Sequence, residues 1–234
     1  MTADVRQLLV DSCRILAASG QEHFAFGHVS AREAPGADRF WFKGGGRGLG
    51  EITIDDLVLL DFGGNRLGGT APIHNEYPIH AEIFRARPEV TCVVHTHPFV
   101  SAALAATAWE LRMVGQDAVN FWDGVGRYDT SVLVTDAGKG RALAAALGSH
   151  NAAVLANHGI VAAGATVVEA TYFAVVFERA VQLQAAALGL GSLRDIPQDE
   201  LDELIPYLSN AARGRAQGVW DWLLRQVNAS SPRG

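Results

Sequence analysis

The hydrophobic and polar positions of the chain follow a helical period in some segments and a strand period in others. Residues 4–19 carry apolar side chains at three- and four-residue steps, which predicts an amphipathic helix. Pro88 and Asp136 fit the end of one further helix and the N-cap of another. The helical period predicts four more helices, over residues 75–87, 99–108, 136–149 and about 166–188.

Segments with a period of two lie between these helices and predict a β-sheet. The turn cluster APGAD joins the first two strands in a hairpin, and a tight turn at 157–159 joins the last two. Residues 112–135 are expected to carry two or three short strands, one of them the segment SVLVT. The other predicted strands cover residues 28–33, 39–43, 58–61, 91–98 and both arms of 152–164.

No internal repeat, low-complexity linker or break in composition divides the chain. We therefore expect one α/β domain over residues 1–234, with a helical tail from about residue 190 that carries Trp220 and Trp222. A chain of 234 residues can bury a sizeable core without disulfide bonds.

Charge and cysteine content narrow the class of protein. The formal net charge is −6, which is unlike the basic footprint of proteins that bind nucleic acid or anionic membranes. Two cysteines are too few for a disulfide framework, which favours a reducing compartment. The apolar stretches are interrupted before the roughly 20 residues that a membrane span needs. We expect a soluble, cytoplasmic enzyme with no nucleic-acid or membrane partner.

Eight histidines stand out in this ordinary composition. His95 and His97 are two residues apart at the end of a predicted strand, so their imidazoles should lie side by side. His158 lies in the predicted turn at 157–159, and Glu76 lies one helix upstream of the pair. Three imidazoles and a carboxylate suit a catalytic divalent metal with an open position, although HxH alone also occurs in ordinary strands. Zn²⁺ is the leading candidate, with Mn²⁺, Fe²⁺ or Co²⁺ as alternatives.

Three segments resemble the class II aldolase/adducin family, which includes sugar-phosphate aldolases, ribulose-phosphate epimerases and the adducin head domain. These segments are GHVSAR, NEYPIHAEIFRARPEVTCVVHTHP and LANHGIVAAG. In that family a glutamate precedes the HxH pair by nineteen residues, and a third histidine follows the pair by sixty-one. Glu76, His95, His97 and His158 have the same spacings.

The resemblance implies a fold, an assembly and a set of roles. The fold is a three-layer α/β/α domain with a central mixed, largely antiparallel sheet, and the assembly is a homotetramer with active sites between neighbouring subunits. His95, His97 and His158 match the metal ligands, and Glu76 matches the catalytic acid/base. His80 matches a helix histidine that supports the site without ligating the metal.

The chain departs from the sugar-phosphate members where these bind phosphate. His28 replaces an asparagine, Lys43 and Arg47 lie in or beside the glycine-rich loop 44–50, and the pair His74-Asn75 replaces two serines. Arginine suits a planar carboxylate because its guanidinium donates two parallel hydrogen bonds. These five residues, His28, Lys43, Arg47, His74 and Asn75, are therefore candidate contacts for a small-molecule carboxylate substrate.

The departures favour the family branch that contains metal-dependent decarboxylases of hydroxylated aromatic or pyridine dicarboxylic acids. We interpret the chain as a metal-dependent carbon–carbon lyase, favoured as such a decarboxylase, with an enolate-type intermediate stabilised by the metal. One alternative is a class II aldolase acting on an unphosphorylated hydroxy-keto acid or sugar derivative. Another is a non-catalytic, adducin-like interaction module.

Overall fold

The computed structural model describes residues 4–210 and 212–230. Within these residues, eight strands form one sheet in the order β4-β3-β2-β1-β5-β8-β7-β6. The strands are β1 His28–Arg32, β2 Arg39–Lys43, β3 Leu57–Asp61, β4 Arg66–Gly68, β5 Cys92–Thr96, β6 Gly126–Tyr128, β7 Ala152–Leu155 and β8 Gly159–Gly164.

Seven α-helices accompany the sheet in the described part of the chain. The predicted N-cap is present, because the Asp136 side chain accepts a hydrogen bond from the Lys139 amide at the start of the fourth helix. The helices are α1 Val5–Leu16, α2 Tyr77–Ala86, α3 Phe99–Ala105, α4 Ala137–Leu147, α5 Val167–Leu190, α6 Gln198–Asn210 and α7 Ala212–Ser230.

The sheet separates two apolar layers, which confirms the predicted three-layer α/β/α fold. On one face, α2 and α4 bury Ile79, Phe84 and Leu143 against alternate residues of the strands. On the other face, α1, α5 and Trp220 of α7 cover the intervening strand residues. Neighbouring strands pair antiparallel except β6 and β7, which pair in parallel, so the sheet is mixed and largely antiparallel.

The predicted strands of residues 112–135 were wrong. SVLVT forms no strand, and the only strand within 112–135 in the described chain is β6, Gly126–Tyr128. Val134 of SVLVT is buried, but its amide hydrogen bonds to a side chain instead of to a neighbouring strand. The tail contains two helices, α6 and α7, and only Trp220 of the tryptophan pair is buried.

Helix α5 has the length and composition that would allow it to cross a membrane. In this fold, however, it packs against β8, α1, α3 and α7. Its apolar character is explained by burial of residues such as Ala174, Phe177 and Val181 in two of the core clusters.

Candidate metal centre and active site

The histidines of the candidate site converge at the edge of the sheet that is formed by the ends of its central strands, not by an outer strand. Strand β5 ends at this edge, while the antiparallel strands β1 and β8 on either side begin there. His95 is directly opposite His28 of β1 and Val161 of β8. The β7–β8 turn, which carries His158, lies at the same edge because β8 begins at Gly159. The sheet register therefore places three segments that are distant in sequence around His95.

The three predicted ligands form a compact nitrogen cluster. One ring nitrogen from each of His95, His97 and His158 lies within 4.8 Å of the other two. The Nε2 atoms of His95 and His97 are 3.0 Å apart. Two nitrogens that bind one metal at about 2.1 Å in adjacent positions lie roughly 3 Å apart, so this spacing suits a shared cation.

The tautomer of His95 is fixed by the strand next to it. Its Nδ1 lies 2.9 Å from the Ile160 carbonyl, which can only accept, so Nδ1 carries the proton and Nε2 keeps its lone pair. A backbone carbonyl behind the second ring nitrogen is a common support for a metal-binding histidine. The sequence does not reveal this contact, because the two residues are 65 positions apart.

Burial keeps the imidazoles neutral, as metal ligation requires. It lowers the pKa of His95 well below its usual range and the pKa of His97 to about 3. Neighbouring imidazoles act in the same direction on both residues. Burial also lowers the pKa of His158, against the opposing effect of the Glu76 carboxylate.

His158 is presented by a strained turn. Asn157 has φ 55°, in the left-handed region that asparagine tolerates better than most residues. A Cβ at Gly159 would lie 2.5 Å from the Thr96 carbonyl oxygen and 2.6 Å from Cδ2 of His97. Glycine therefore lets the turn approach the end of β5 closely and brings the His158 ring to 4.9 Å from the His97 ring.

Glu76 precedes the first residue of α2 and faces the same cluster. Its Oε1 accepts a hydrogen bond from the Val134 amide at 3.1 Å, and its Oε2 lies 3.7 Å from Nε2 of His158. The carboxylate is buried and is thus held with one oxygen tied to the backbone and the other turned towards the imidazoles.

This donor set fits a divalent transition metal. The nitrogen cluster consists of neutral imidazoles, and Glu76 together with His28 and His95 forms a second overlapping group of metal-type donor atoms within 4.8 Å. A site with three histidines and an adjacent carboxylate leaves room for substrate on the cation.

A buried row of polar side chains lies behind the cluster. Nδ1 of His28 is 2.6 Å from Nε2 of His80, and Nδ1 of His80 is 2.6 Å from the Ser30 hydroxyl. All three side chains are fully buried. Burial lowers the pKa of His80 to about 3 and that of His28 well below its usual range. His80 therefore supports His28, and Nε2 of His28 has no hydrogen-bond partner among the described residues.

An open cleft of about 370 Å³ leads to the cluster. Its polar lining comes from His74, Asn75, Glu76, His97 and His158, so two of the predicted substrate contacts face the cleft. The rest of its lining comes from Phe26, Gly45, Ile73 and Leu133.

Lys43 and Arg47 occupy different surroundings. Lys43 is fully buried and donates to the Ala25 carbonyl at 3.2 Å, and burial lowers its pKa. Arg47 is largely exposed and pairs with Asp56 at 2.9 Å. Neither side chain contributes to the lining of the cleft.

Several residues of the site have no signal in the sequence. The sequence predicts no role for His23, but its Nδ1 lies 3.5 Å from Nδ1 of His97. Phe26 and Leu133 form apolar walls, and both belong to irregular segments whose positions depend on the tertiary fold.

The fold and the site together define an α/β enzyme with a metal-type histidine cluster at a sheet edge. The sequence profile described as "Class II Aldolase and Adducin N-terminal domain" matches residues 7–185. The chain belongs to this family. It is a lyase of the class II aldolase superfamily, as are the decarboxylases and aldolases that it matches.

Individual relatives agree with this membership. The chain is 36% identical over 214 residues to a 3,4-dihydroxyphthalate decarboxylase of Terrabacter sp. (strain DBF63), covering 85% of this chain and 88% of that protein. Its fold matches an aldolase II superfamily protein from Pseudomonas syringae with a TM-score of 0.88 and 25% identity, covering 97% and 93% of the two chains. L-fuculose 1-phosphate aldolase from Glaciozyma antarctica PI12 matches with a TM-score of 0.84 and 25% identity, covering 96% and 90%.

Proposed function

We propose that this protein is a metal-dependent decarboxylase of a hydroxylated aromatic or heteroaromatic carboxylic acid. The observation that carries the proposal is the cleft, in which apolar walls stand beside the histidine cluster and Glu76. A flat aromatic ring suits walls such as Phe26, Ile73 and Leu133, whereas a sugar would need hydrogen-bonding side chains there. The decarboxylase name of the Terrabacter relative supports the same reaction.

In this proposal His95, His97 and His158 hold one divalent cation, with Zn²⁺ favoured over Mn²⁺, Fe²⁺ and Co²⁺. The cation supplies Lewis-acid stabilisation of negative charge on substrate oxygens. The carbonyl of Ile160 keeps His95 in the tautomer that can bind it.

Glu76 moves the proton. When the bond between the ring carbon and the carboxylate breaks, CO₂ leaves and the electron pair stays on the ring carbon. That carbon takes a proton from Oε2 of Glu76, because Oε1 is held by the Val134 amide. Glu76 regains a proton from solvent through the open cleft, so each turnover consumes one proton and releases one CO₂.

The remaining candidate residues orient the substrate. His74 and Asn75 line the cleft beside Glu76 and are placed to contact an acid group. Contacts from Lys43 and Arg47 remain predictions, since their partners in this structure are the Ala25 carbonyl and Asp56. A homotetramer, which the family resemblance implies, and a cytoplasmic location, which the two free cysteines favour, also belong to the proposal.

Product analysis tests the reaction. The metal-loaded protein is incubated separately with 3,4-dihydroxyphthalate and with an unphosphorylated hydroxy-keto acid. Release of CO₂ with formation of a dihydroxybenzoate, and no aldehyde from the second compound, is the expected result. Aldehyde formation without CO₂ would instead identify an aldolase, and a protein that binds no transition metal would point to an interaction module.

A further inference from the structure

Helix α3 begins directly after the candidate ligand His97, and its own sequence provides no N-terminal cap. Its N-cap residue is Pro98, whose side chain makes no capping hydrogen bond. The first amides of any helix lack acceptors within that helix, and proline has no side-chain oxygen to offer them. The acceptor for the start of α3 must therefore come from another element of the fold.

Glu178 of α5 supplies this acceptor. Its Oε2 accepts hydrogen bonds from the Ser101 amide at 3.0 Å and from the Ser101 hydroxyl at 2.5 Å, and its Oε1 accepts one from the Val100 amide at 3.3 Å. The side chains of Glu178 and Ser101 are both buried. A buried carboxylate is costly unless it is well bonded, and the N-terminus of a helix stabilises negative charge. The carboxylate is therefore tied firmly to the first turn of α3.

A second polar contact ties the other side of His97 to the same helix. Thr96 precedes His97 and points to the opposite face of the sheet. Its hydroxyl donates to Oε1 of Gln21 at 2.7 Å, and Nε2 of Gln21 donates to the Ala174 carbonyl at 2.8 Å. Ala174 and Glu178 are about one turn apart on α5. Helix α5 thus holds the chain on both sides of His97.

His97 depends on these contacts more than the other two ligands do. His95 lies within β5, which is paired on both sides, whereas His97 follows the last residue of that strand. Pro98 connects His97 to α3 with φ fixed by its ring, at −63°. A displacement of the start of α3 is therefore passed to His97, whose Nε2 lies 3.0 Å from that of His95.

We propose that Glu178 is a positioning residue that holds the start of α3 and thereby keeps the His97 imidazole in the nitrogen cluster. Glu178 does not line the cleft, so it acts through the backbone between His97 and Ser101. The inference rests on the metal centre of the proposed function, but not on the reaction or the substrate.

Two measurements on Glu178→Ala test the proposal, each under conditions where the variant is fully folded. In the metal-free protein, NMR of labelled histidine should show the His97 ring signals displaced, and more so than those of His95. In Co²⁺ titrations followed by visible absorption, the dissociation constant should rise by about tenfold or more, with an altered spectrum. A helix cap without a role in the site would lower only the stability.

Glu82→Gln is the matched control. Glu82 is also a buried glutamate, but it lies on α2, where it pairs with Arg85 at 2.6 Å. This variant should keep both the His97 signals and the Co²⁺ affinity of the wild-type protein.

Glu178→Gln provides a second variant in case Glu178→Ala does not fold. Its amide keeps the shape of the side chain and one oxygen for Ser101, but its NH₂ group cannot accept from the Val100 amide. We expect a displacement of the His97 signals in the same direction and a fall in Co²⁺ affinity of about threefold.

Two results would overturn the proposal. One is a folded Glu178→Ala, or Glu178→Gln if the alanine variant does not fold, with wild-type His97 signals and wild-type Co²⁺ affinity. The other is an equal effect on His95 and His97, or an equal effect in Glu82→Gln, because either would indicate a general loosening of the fold. A wild-type protein that binds no Co²⁺ would contradict the proposed metal centre, while the His97 signals of the metal-free protein would still decide the role of Glu178.

Discussion

At the scale of single residues, the site depends on how each donor atom is held by its surroundings. The Ile160 carbonyl fixes His95, and the Val134 amide fixes one oxygen of Glu76. The clustering of the three candidate ligands and the carboxylate was predictable from the sequence, because their residue types and spacings are typical of a metal site. The backbone groups that hold these side chains in place were not predictable, because almost any residue type can contribute a backbone amide or carbonyl.

His97→Ala should abolish metal binding and activity. The variant removes one of the three clustered ring nitrogens. In the wild-type protein, Nε2 of His97 lies 3.0 Å from Nε2 of His95. Metal content after dialysis measures this effect. A variant that keeps one equivalent of metal at wild-type affinity would remove His97 from the ligand set.

Glu76→Gln should keep its metal but lose most of its turnover, by about 10²–10⁴-fold, because an amide cannot deliver the proton. The amide oxygen can still accept from Val134, so the side chain should stay in place. The comparison of kcat at equal metal loading is decisive. Near-normal turnover would exclude Glu76 as the proton donor.

At the scale of secondary-structure elements, the strand register brings the site together. The alternation of β1, β5 and β8 was predictable, as was the tight turn at His158. The structure of residues 112–135 was not predictable. SVLVT has a strand-like pattern, but it forms no strand, and its Val134 amide donates a hydrogen bond to Glu76. The row of His28, Ser30 and His80 was equally hidden, since it depends on how α2 lies across the sheet.

Gly159→Ala should separate β8 from the end of β5. The added methyl group would meet the Thr96 carbonyl and His97, so we expect metal affinity to fall by about tenfold or more. Gly189→Ala is the matched control, because nothing lies within 4 Å of the added Cβ and alanine favours the helix. Equal metal affinity in the two variants would show that this close approach is not needed.

At the scale of the whole molecule, the two helical layers bury the polar row together with the core. This burial makes folding dependent on pH. The pKa of His80 is about 3 in the folded protein because of burial, against about 6.5 in an unfolded chain. The folded state therefore binds fewer protons between these values, and stability is complete above about pH 6.5 and falls as pH decreases towards 3.

For the metal-free protein, we expect the free energy of unfolding to fall by roughly 1 kcal/mol between pH 7.5 and 5.5 from His80 alone. Urea unfolding at the two pH values measures this change, and His80→Gln should reduce it. Gly189→Ala, which changes no titratable group, serves as the control that keeps the full dependence. Identical unfolding free energies at both pH values in the wild-type protein would contradict this account of burial.

The central claim is that one metal, held by His95, His97 and His158, is required for release of CO₂ from a hydroxylated aromatic acid. The most direct measurement is CO₂ production by metal-free protein as Zn²⁺ or Mn²⁺ is added back. We predict that the rate rises to a plateau at about one equivalent per chain in the wild-type protein and stays at background in His97→Ala. CO₂ release by the metal-free protein, or an equal response in His97→Ala, would contradict the claim.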